Sequence, residues 1–289
     1  MKGLILPGRR GKRQHRTILE WIGWLFLVLF CVITVVLLLV IFMNSVKTKD
    51  EVFANIWSFP VQISFDKFSA LLGEYHFGRY IFNSFFITFV SLVISIYISC
   101  MAAYGIAKFD FKGNGLVYLY FLLGLMFPIK LGIVPLYVLM RNLGLNNSLW
   151  GMILIYCGSI SMPVFVLTGF FRSLPSAVIE AARIDGASQV RIFHTIILPL
   201  SKPSIGAVVP LVAVNTWNDF FLPMIFLTRD EVKTVPLGLM RFVISGYFDI
   251  SKMDVVFAAA AISIAPILAV YLLCSRQIVG GITAGAVKM

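Results

Sequence analysis

Acidic residues are scarce in this sequence: 13 Asp and Glu among 289 residues, against 24 Lys and Arg. Histidine occurs three times (His15, His76, His194) and cysteine four times (Cys31, Cys100, Cys157, Cys274). The histidines are scattered, and each cysteine falls alone in an apolar stretch. Neither a metal site nor a disulfide framework is expected from such spacing. A membrane-embedded enzyme needs paired carboxylates, a Ser/His pair or metal ligands at one depth. Asp219, the one acid inside an apolar run, has no acidic partner there, so no catalytic residue is named. No internal repeat relates the first half of the chain to the second, which leaves an ion-coupled secondary transporter of the inverted-repeat kind unsupported.

Charge of either sign is sparse as well. Charged residues make up 13% of the chain and hydrophobic ones 60%, with a mean hydropathy of +0.94. A water-soluble core is hard to reconcile with that balance, and the expected class is an all-α polytopic membrane protein. Uncharged stretches run over 21–46, 80–107, 142–171 and 255–275, each long enough for the roughly 20 residues of a membrane helix. Two further apolar stretches are interrupted, 116–140 by Lys130 and two prolines, and 204–227 by Asp219 and two prolines. Counting both gives six spans, with Pro128, Pro163, Pro210 and Pro266 expected to kink helices rather than end them.

Lys2, Arg9, Arg10, Lys12, Arg13 and Arg16 precede the first acid, and the apolar run that follows is too long for a signal-peptide core. An uncleaved cytoplasmic start is expected, which divides the chain into a basic N-terminus (1–20), a six-helix domain (21–275) and a cytoplasmic tail (276–289). With both termini inside, the segments 1–20, 108–115, 172–203 and 276–289 are internal. They hold fourteen basic residues and only Glu20, Asp110, Glu180 and Asp185 as acids. Such an excess of positive charge inside is the usual orientation signal, and it accounts for the net charge of +11. Nucleic-acid binding would want a basic helix or aromatic platform outside the membrane, and none is present.

The outer segment from Ser45 to Arg79 mixes charge with Phe53, Trp57, Phe59, Phe65 and Phe68. Two readings stand for it: a docking surface for an external partner, or aromatics packed at headgroup level.

Between the fourth and fifth spans, residues 172–203 are too patterned for a linker. Pro175 suits a first helical turn after Ser173 as cap, the run 176–185 lacks breakers, and Gly186 can close the helix in a left-handed conformation. Ser188 can cap a second helix, which Pro199 is expected to end. Ala181 and Ala182 leave a low surface open to close approach, and Glu180 and Arg183 are spaced to pair. The reading is a helix-turn-helix on the cytoplasmic face.

This segment resembles the coupling-loop signature of binding-protein-dependent ABC importers: Glu-Ala-Ala, three residues, Gly, nine residues, Ile, one residue, Leu-Pro. Glu180, Ala181, Ala182, Gly186, Ile196, Leu198 and Pro199 fill every position. The likeness covers nearly the whole chain and is nearest the carbohydrate-uptake, MalG-like branch, through the stretch from Lys47 to Pro60, Asn83 with Ser84, and the tail from Gly280. It implies a type I ABC importer permease fold and a subunit with no bond chemistry of its own. The implied partners are a second homologous permease, a dimeric ATPase that binds ATP and Mg, and an extracytoplasmic solute-binding protein, in a bacterial or archaeal cytoplasmic membrane. By the same resemblance Glu180, Ala181, Ala182, Arg183, Asp185, Gly186, Ile196, Leu198 and Pro199 couple to the ATPase. The tail reaches towards that interface as a thin strand through Gly281, Gly285 and Lys288.

The candidate substrate path is the polar cluster Asn215, Trp217, Asn218 and Asp219 in the fifth span, with Lys130 in the third. Ionisable groups within a span face a cavity or a partner by default, and helix-to-helix hydrogen bonding is the plain alternative. Trp217 beside Asn218 and Asp219 suits an oligosaccharide, whereas Lys130 suits a charged one such as a uronate or sugar phosphate.

Overall fold

The computed structural model describes residues 18–127, 129–248 and 253–286, and every regular element among them is helical. Among the described residues, three helices are long and apolar enough to cross a membrane unbroken. They lie in α1 (Ile18–Val46), in α4 (Phe77–Lys108) and in α15 (Met253–Ala286). Between α1 and α4 lie the short α2 (Lys49–Ala54) and α3 (Asp66–Gly73).

The remaining apolar stretches are bent pairs. α5 (Asn114–Met126) turns by 86° through a 3-10 turn at Ile129–Gly132 into α6 (Ile133–Asn142). α7 (Leu149–Gly158) meets α8 (Ser161–Ser173) at 43°. Two helices then form a hairpin: α9 (Ser176–Ile184), and α10 (Gln189–Ile192) continued by a π-helical turn at Phe193–Ile197 and by α11 (Leu198–Leu200). After a 76° bend at Ser201 comes α12 (Lys202–Asn218). The chain continues through α13 (Phe221–Phe226) and α14 (Val235–Phe248). Counting each bent pair as one span gives up to six among the described residues.

Several sequence expectations need correction here. The stretch 142–171 is not one helix. Its break falls at Ser159 and Ile160, and Pro163 stands in the first turn of α8, where a missing N–H leaves no helical bond unmade. Pro163 therefore marks a helix start rather than a kink. The stretch to Leu227 is likewise divided, because Asp219 takes an extended conformation (φ −66°, ψ 122°) and ends α12. Pro210 and Pro266 do sit inside continuous helices, and Pro128 lies outside the described residues. The segment after Thr228, read as a connection, contains α14, whose Phe242 packs on Phe77 and Tyr75.

Two clusters of buried side chains occupy the ends of α4. Around its C-terminal half, Ile96, Cys100, Ala103 and Tyr104 pack with Leu167 and Phe171 of α8, Ile179 of α9, and Ile192, Phe193 and Ile197. Around its N-terminal end, Phe77 and Tyr80 pack with Leu71, Trp217, Val235, Phe242, Ala258 and Ala259. Ala258 and Ala259 are fully buried, so the absence of side-chain bulk lets α15 approach closely. Gly238 of α14 serves the same purpose, since a Cβ there would overlap the Tyr80 ring.

At this second end the stretch after α1 folds onto one buried lysine. The ammonium of Lys47 donates to Asn44 Oδ1 (3.1 Å), to the carbonyls of Asn55 (3.0 Å) and Ile56 (3.3 Å), and to Ser58 Oγ (3.3 Å). Burial lowers its pKa, opposed by the negative charge of Glu51. Glu51 in turn accepts the N–H groups of Val61 and Gln62 and closes a capping box with Thr48. The chain between these clips alternates: Ser58 and Ser64 engage protein partners, while Trp57, Phe59, Val61, Ile63 and Phe65 stand exposed.

Candidate functional site

The hairpin α9–α10 has the turn that the sequence requires. Gly186 has φ +78°, its N–H donates to Arg183 O (3.1 Å), and the N–H of Ala187 donates to Ala182 O (3.0 Å). This pair of bonds is a Schellman closure, which places glycine at the left-handed position because a Cβ is disfavoured there. Ser188 then caps α10, its Oγ accepting the N–H of Arg191 at 3.3 Å.

Three local details differ from expectation. Ser173 is the last residue of α8, its hydroxyl bonded back to Phe170 O, and the N-cap position of α9 is Pro175. Pro199 does not end the second helix: the chain stays helical to Leu200 and bends at Ser201. The reason is the π turn just before it, where Leu198 N–H reaches back five residues to Phe193 O and the widened ladder accommodates the ring. Nor does Arg183 form an ion pair with Glu180. With the Gln189 amide turned so that its oxygen faces Arg183, that oxygen accepts from Arg183 Nε and Nη2, both at 3.2 Å, and its nitrogen donates to Tyr104 Oη at 3.1 Å. An exposed pair three residues apart yields little in water, so the closer amide wins.

The hairpin hides one face and shows the other. Ile179, Ile192, Phe193 and Ile197 are buried against α4 and α8. Glu180, Ala181, Arg183, Asp185 and Gly186 are exposed, with Ala182 half-buried. Among them stand apolar side chains the sequence reading did not single out: Ile184 at 87% exposure, Val190 at 68% and Val178 at 44%. An apolar residue at the tip, directly before the closing glycine, was the available signal. Ile196 and Leu198 pack at the edge of the core cluster, so these two signature positions hold the hairpin down and do not belong to its open face.

The polar cluster of α12 separates into two faces. Trp217 is buried and its indole N–H donates to Ser263 O of α15 at 3.1 Å, so it joins two helices and offers no ring to a ligand. Asn215 and Asn218, three apart, share the other, exposed face. Asp219 accepts from Tyr156 Oη at 2.9 Å and from the N–H groups of Phe221 (3.0 Å) and Leu222 (3.4 Å). The ammonium of Lys130 lies 5.0 Å above the Phe221 ring. Tyr156 and Asp219 thus form a polar knot between two of the interrupted spans, and Lys130, from the turn that breaks the third, reaches it through the ring of Phe221. Tyr156 was missed from the sequence because nothing local marks a tyrosine in an apolar run as a partner of an acid 63 residues away. Next to this knot an apolar cavity of about 600 Å³ is lined by Phe127, Ile129, Leu131, Leu136, Leu154 and Gly158 among others. Its walls offer a hydroxylated ligand little to bond.

The tail departs from the thin strand expected. The α15 backbone stays helical without interruption from the last span through Gly281 and Gly285 to Ala286, since glycine lowers helix propensity without forbidding it. Lys288 and the basic residues before position 18 lie outside the described residues.

Comparison with known proteins gives a consistent result. Residues 95–282 match the family described as binding-protein-dependent transport system inner membrane component. The chain is 34% identical over 263 residues to the diacetylchitobiose uptake system permease protein NgcG of Streptomyces coelicolor, covering 91% of this chain and 87% of that one. It is 31% identical over 251 residues to the arabinooligosaccharides transport system permease protein AraQ of Bacillus subtilis, covering 85% and 88%. In fold it is similar to a chain from the crystal structure of a bacterial ABC transporter that imports the acidic polysaccharide alginate. That match has a TM-score of 0.78 at 24% identity, over 90% of this chain and 96% of that one.

Proposed function

The chain belongs to the family of binding-protein-dependent transport system inner membrane components, and from that premise we propose that it is the membrane-spanning permease of an ATP-driven oligosaccharide importer. The observation that carries the coupling role is the α9–α10 hairpin. It fills the seven-residue signature and presents Glu180, Ala181, Arg183, Ile184 and Asp185 outward on a turn closed by Gly186.

Ile184 and Val190 are the apolar contacts, and Glu180, Arg183 and Asp185 the charged rim, of a surface that an ATPase subunit covers. ATP and Mg belong to that ATPase, whose closure favours one arrangement of the spans over another. The C-terminal tail supplies a second contact through Gly281 and Gly285, now in the last turns of a helix, and through Lys288. The hairpin and both termini face the cytoplasm, in agreement with the excess of basic residues in those segments. The Lys47 end then faces outward, towards a solute-binding protein. A second, homologous permease completes the pathway.

Oligosaccharide cargo is supported by the two relatives described, whose names specify diacetylchitobiose and arabinooligosaccharides. Asn215 and Asn218 are the candidate ligand contacts on this subunit, with Asp219 and Lys130 shaping the wall beside them. A neutral sugar fits this wall better than an anionic one, because the carboxylate of Asp219, next to Asn218, disfavours a like charge.

Reconstitution of the chain with a companion permease, an ATPase dimer and a binding protein in proteoliposomes tests the reading. Uptake of a labelled oligosaccharide is expected only with ATP, ATPase and binding protein together. Uptake driven by an ion gradient without the ATPase would overturn it.

A further inference from the structure

The hairpin is continuous in sequence with α12, but the join is bent. The chain turns by 76° at Ser201, so a displacement along α10 has only a small component along α12. The link to α4 is of a different kind. Tyr97, Tyr104 and Lys108 are spaced seven and four apart, hence on one face of that helix. All three grip the segment from Leu174 to His194.

Lys108 Nζ donates to Leu174 O at 2.7 Å, just before α9. Tyr104 exchanges a 3.1 Å hydrogen bond with Gln189, and its ring lies 5.6 Å from that of Phe193. Tyr97 Oη meets His194 Nε2 at 3.1 Å. The partner of His194 Nδ1 is the Val190 carbonyl at 2.8 Å. That carbonyl requires Nδ1 to carry the proton, so Nε2 accepts from the Tyr97 phenol. The three contacts cover about 16 Å of helix, a longer base than any single hydrogen bond provides.

α4 has no proline and no break over its 32 residues, which is about 48 Å of rise against roughly 30 Å of hydrocarbon. Its opposite end holds the loop before α14 with equal specificity. Tyr80 Oη donates to Asp230 Oδ2 at 2.9 Å, Asn83 Nδ2 donates to the carbonyls of Glu231 and Lys233, both at 2.9 Å, and Ser84 Oγ accepts the N–H of Val235 at 2.8 Å. One straight helix thus joins the hairpin to the far-side loop 230–235.

We propose that α4 is the rod that carries hairpin movement across the membrane, with Tyr97, Tyr104 and Lys108 as positioning residues at the hairpin and Tyr80, Asn83 and Ser84 at the far-side loop. The proposal rests on the reading of the hairpin as the ATPase-docking element. It adds that the outer loop moves with the hairpin and that α12 follows secondarily.

The test uses the assembled importer in nanodiscs, with the native cysteines replaced and spin labels placed at Asp50→Cys and Glu231→Cys, both exposed; Glu231 meets Asn83 through its backbone carbonyl, which the substitution keeps. ATP binding should shift the distance between the labels. The double variant Gln189→Ala/His194→Ala removes the hairpin's hydroxyl partners without replacing a buried ring, and Tyr97→Ala/Tyr104→Ala removes two of the three contacts of the grip, leaving that of Lys108. Both should keep the ATPase bound and hydrolysing while the distance shift shrinks. Solute imported per ATP should fall about fivefold or more in the tyrosine pair. Tyr97→Phe/Tyr104→Phe, which keeps the ring contacts with Phe193, should recover part of the loss. An undiminished shift and unchanged uptake per ATP in the Gln189/His194 pair would overturn the rod, even if the tyrosine pair fails to assemble. Failure of the unsubstituted chain to bind any ATPase would instead overturn the underlying reading of the hairpin.

Discussion

The phenol of Tyr156 donates to Asp219 Oδ2 at 2.9 Å, and the other oxygen of the same carboxylate accepts the N–H of Phe221, so one acid ties α7 to the junction of α12 and α13. Removing the acceptor leaves a half-buried phenol and a helix start without partners. Asp219→Ala should therefore destabilise the chain by about 1–3 kcal/mol. Asp219→Asn, which keeps one acceptor oxygen, should lose less. Thermal unfolding of the purified protein compares them, and equal losses would show that the charge, not the hydrogen bonds, is what matters.

Gly186 is the position in the hairpin where a side chain meets backbone strain. At φ +78° an L-residue is disfavoured by roughly 1–2 kcal/mol, and nothing crowds a Cβ there. Gly186→Ala should thus weaken the turn without blocking it sterically, whereas Gly186→Pro should open it. Limited proteolysis between α9 and α10 should rise in that order, with membrane insertion unchanged. Equal protection in all three chains would contradict the Schellman closure.

Asp230 gives the far end of α4 a pH dependence. Burial raises its pKa, but hydrogen bonds from Lys233 and Tyr80, with the charges of Lys233 and Arg241, outweigh that and hold it below the usual 3.8. A carboxylate with a depressed folded pKa stabilises the fold above its unfolded value and loses that contribution as pH falls through the folded one. The stability gap between wild type and Asp230→Asn should be constant near neutral pH and close progressively below about pH 4. A gap that persists into acid would mean that Asp230 acts through shape alone.

Lys47 is the clip of the segment after α1, with four acceptors around one fully buried ammonium. Lys47→Ala removes one donor from all four, but the Ile56 carbonyl keeps Asn44 Nδ2 and the Asn55 carbonyl keeps Ser58 Oγ, so the cost should be about 1–3 kcal/mol. The loss should be local, seen as faster amide exchange over 48–64 with α4 still protected. Uniform loss across the chain would argue against a local clip.

What the sequence disclosed follows from how local each cause is. Long apolar runs show α1, α4 and α15 directly, and the turn at Gly186 with its Ser188 cap needs only a glycine and a serine at fixed offsets. The bent pairs were read as single spans because hydropathy averages over a break at Ser159 as easily as over a kink. In the sequence Pro163 and Asp219 interrupt apolar runs, yet each stands at a helix boundary where its backbone or side-chain preference is met. Trp217 looked like a sugar platform because its partner, the Ser263 carbonyl, comes from 46 residues away. Tyr97, Tyr104 and Lys108 share a visible face of α4, but only the folded chain shows the hairpin that face holds.

The most direct test of the coupling role is the association of the ATPase with an Ile184→Glu permease. Ile184 is exposed at the tip of the hairpin and supports nothing inside the chain, so the substitution leaves folding intact. Co-purification of the ATPase from membranes should fall by about tenfold or more, as expected when a charge is buried against an apolar socket, while Ile184→Val retains it. Full ATPase recovery with Ile184→Glu would contradict docking at this surface.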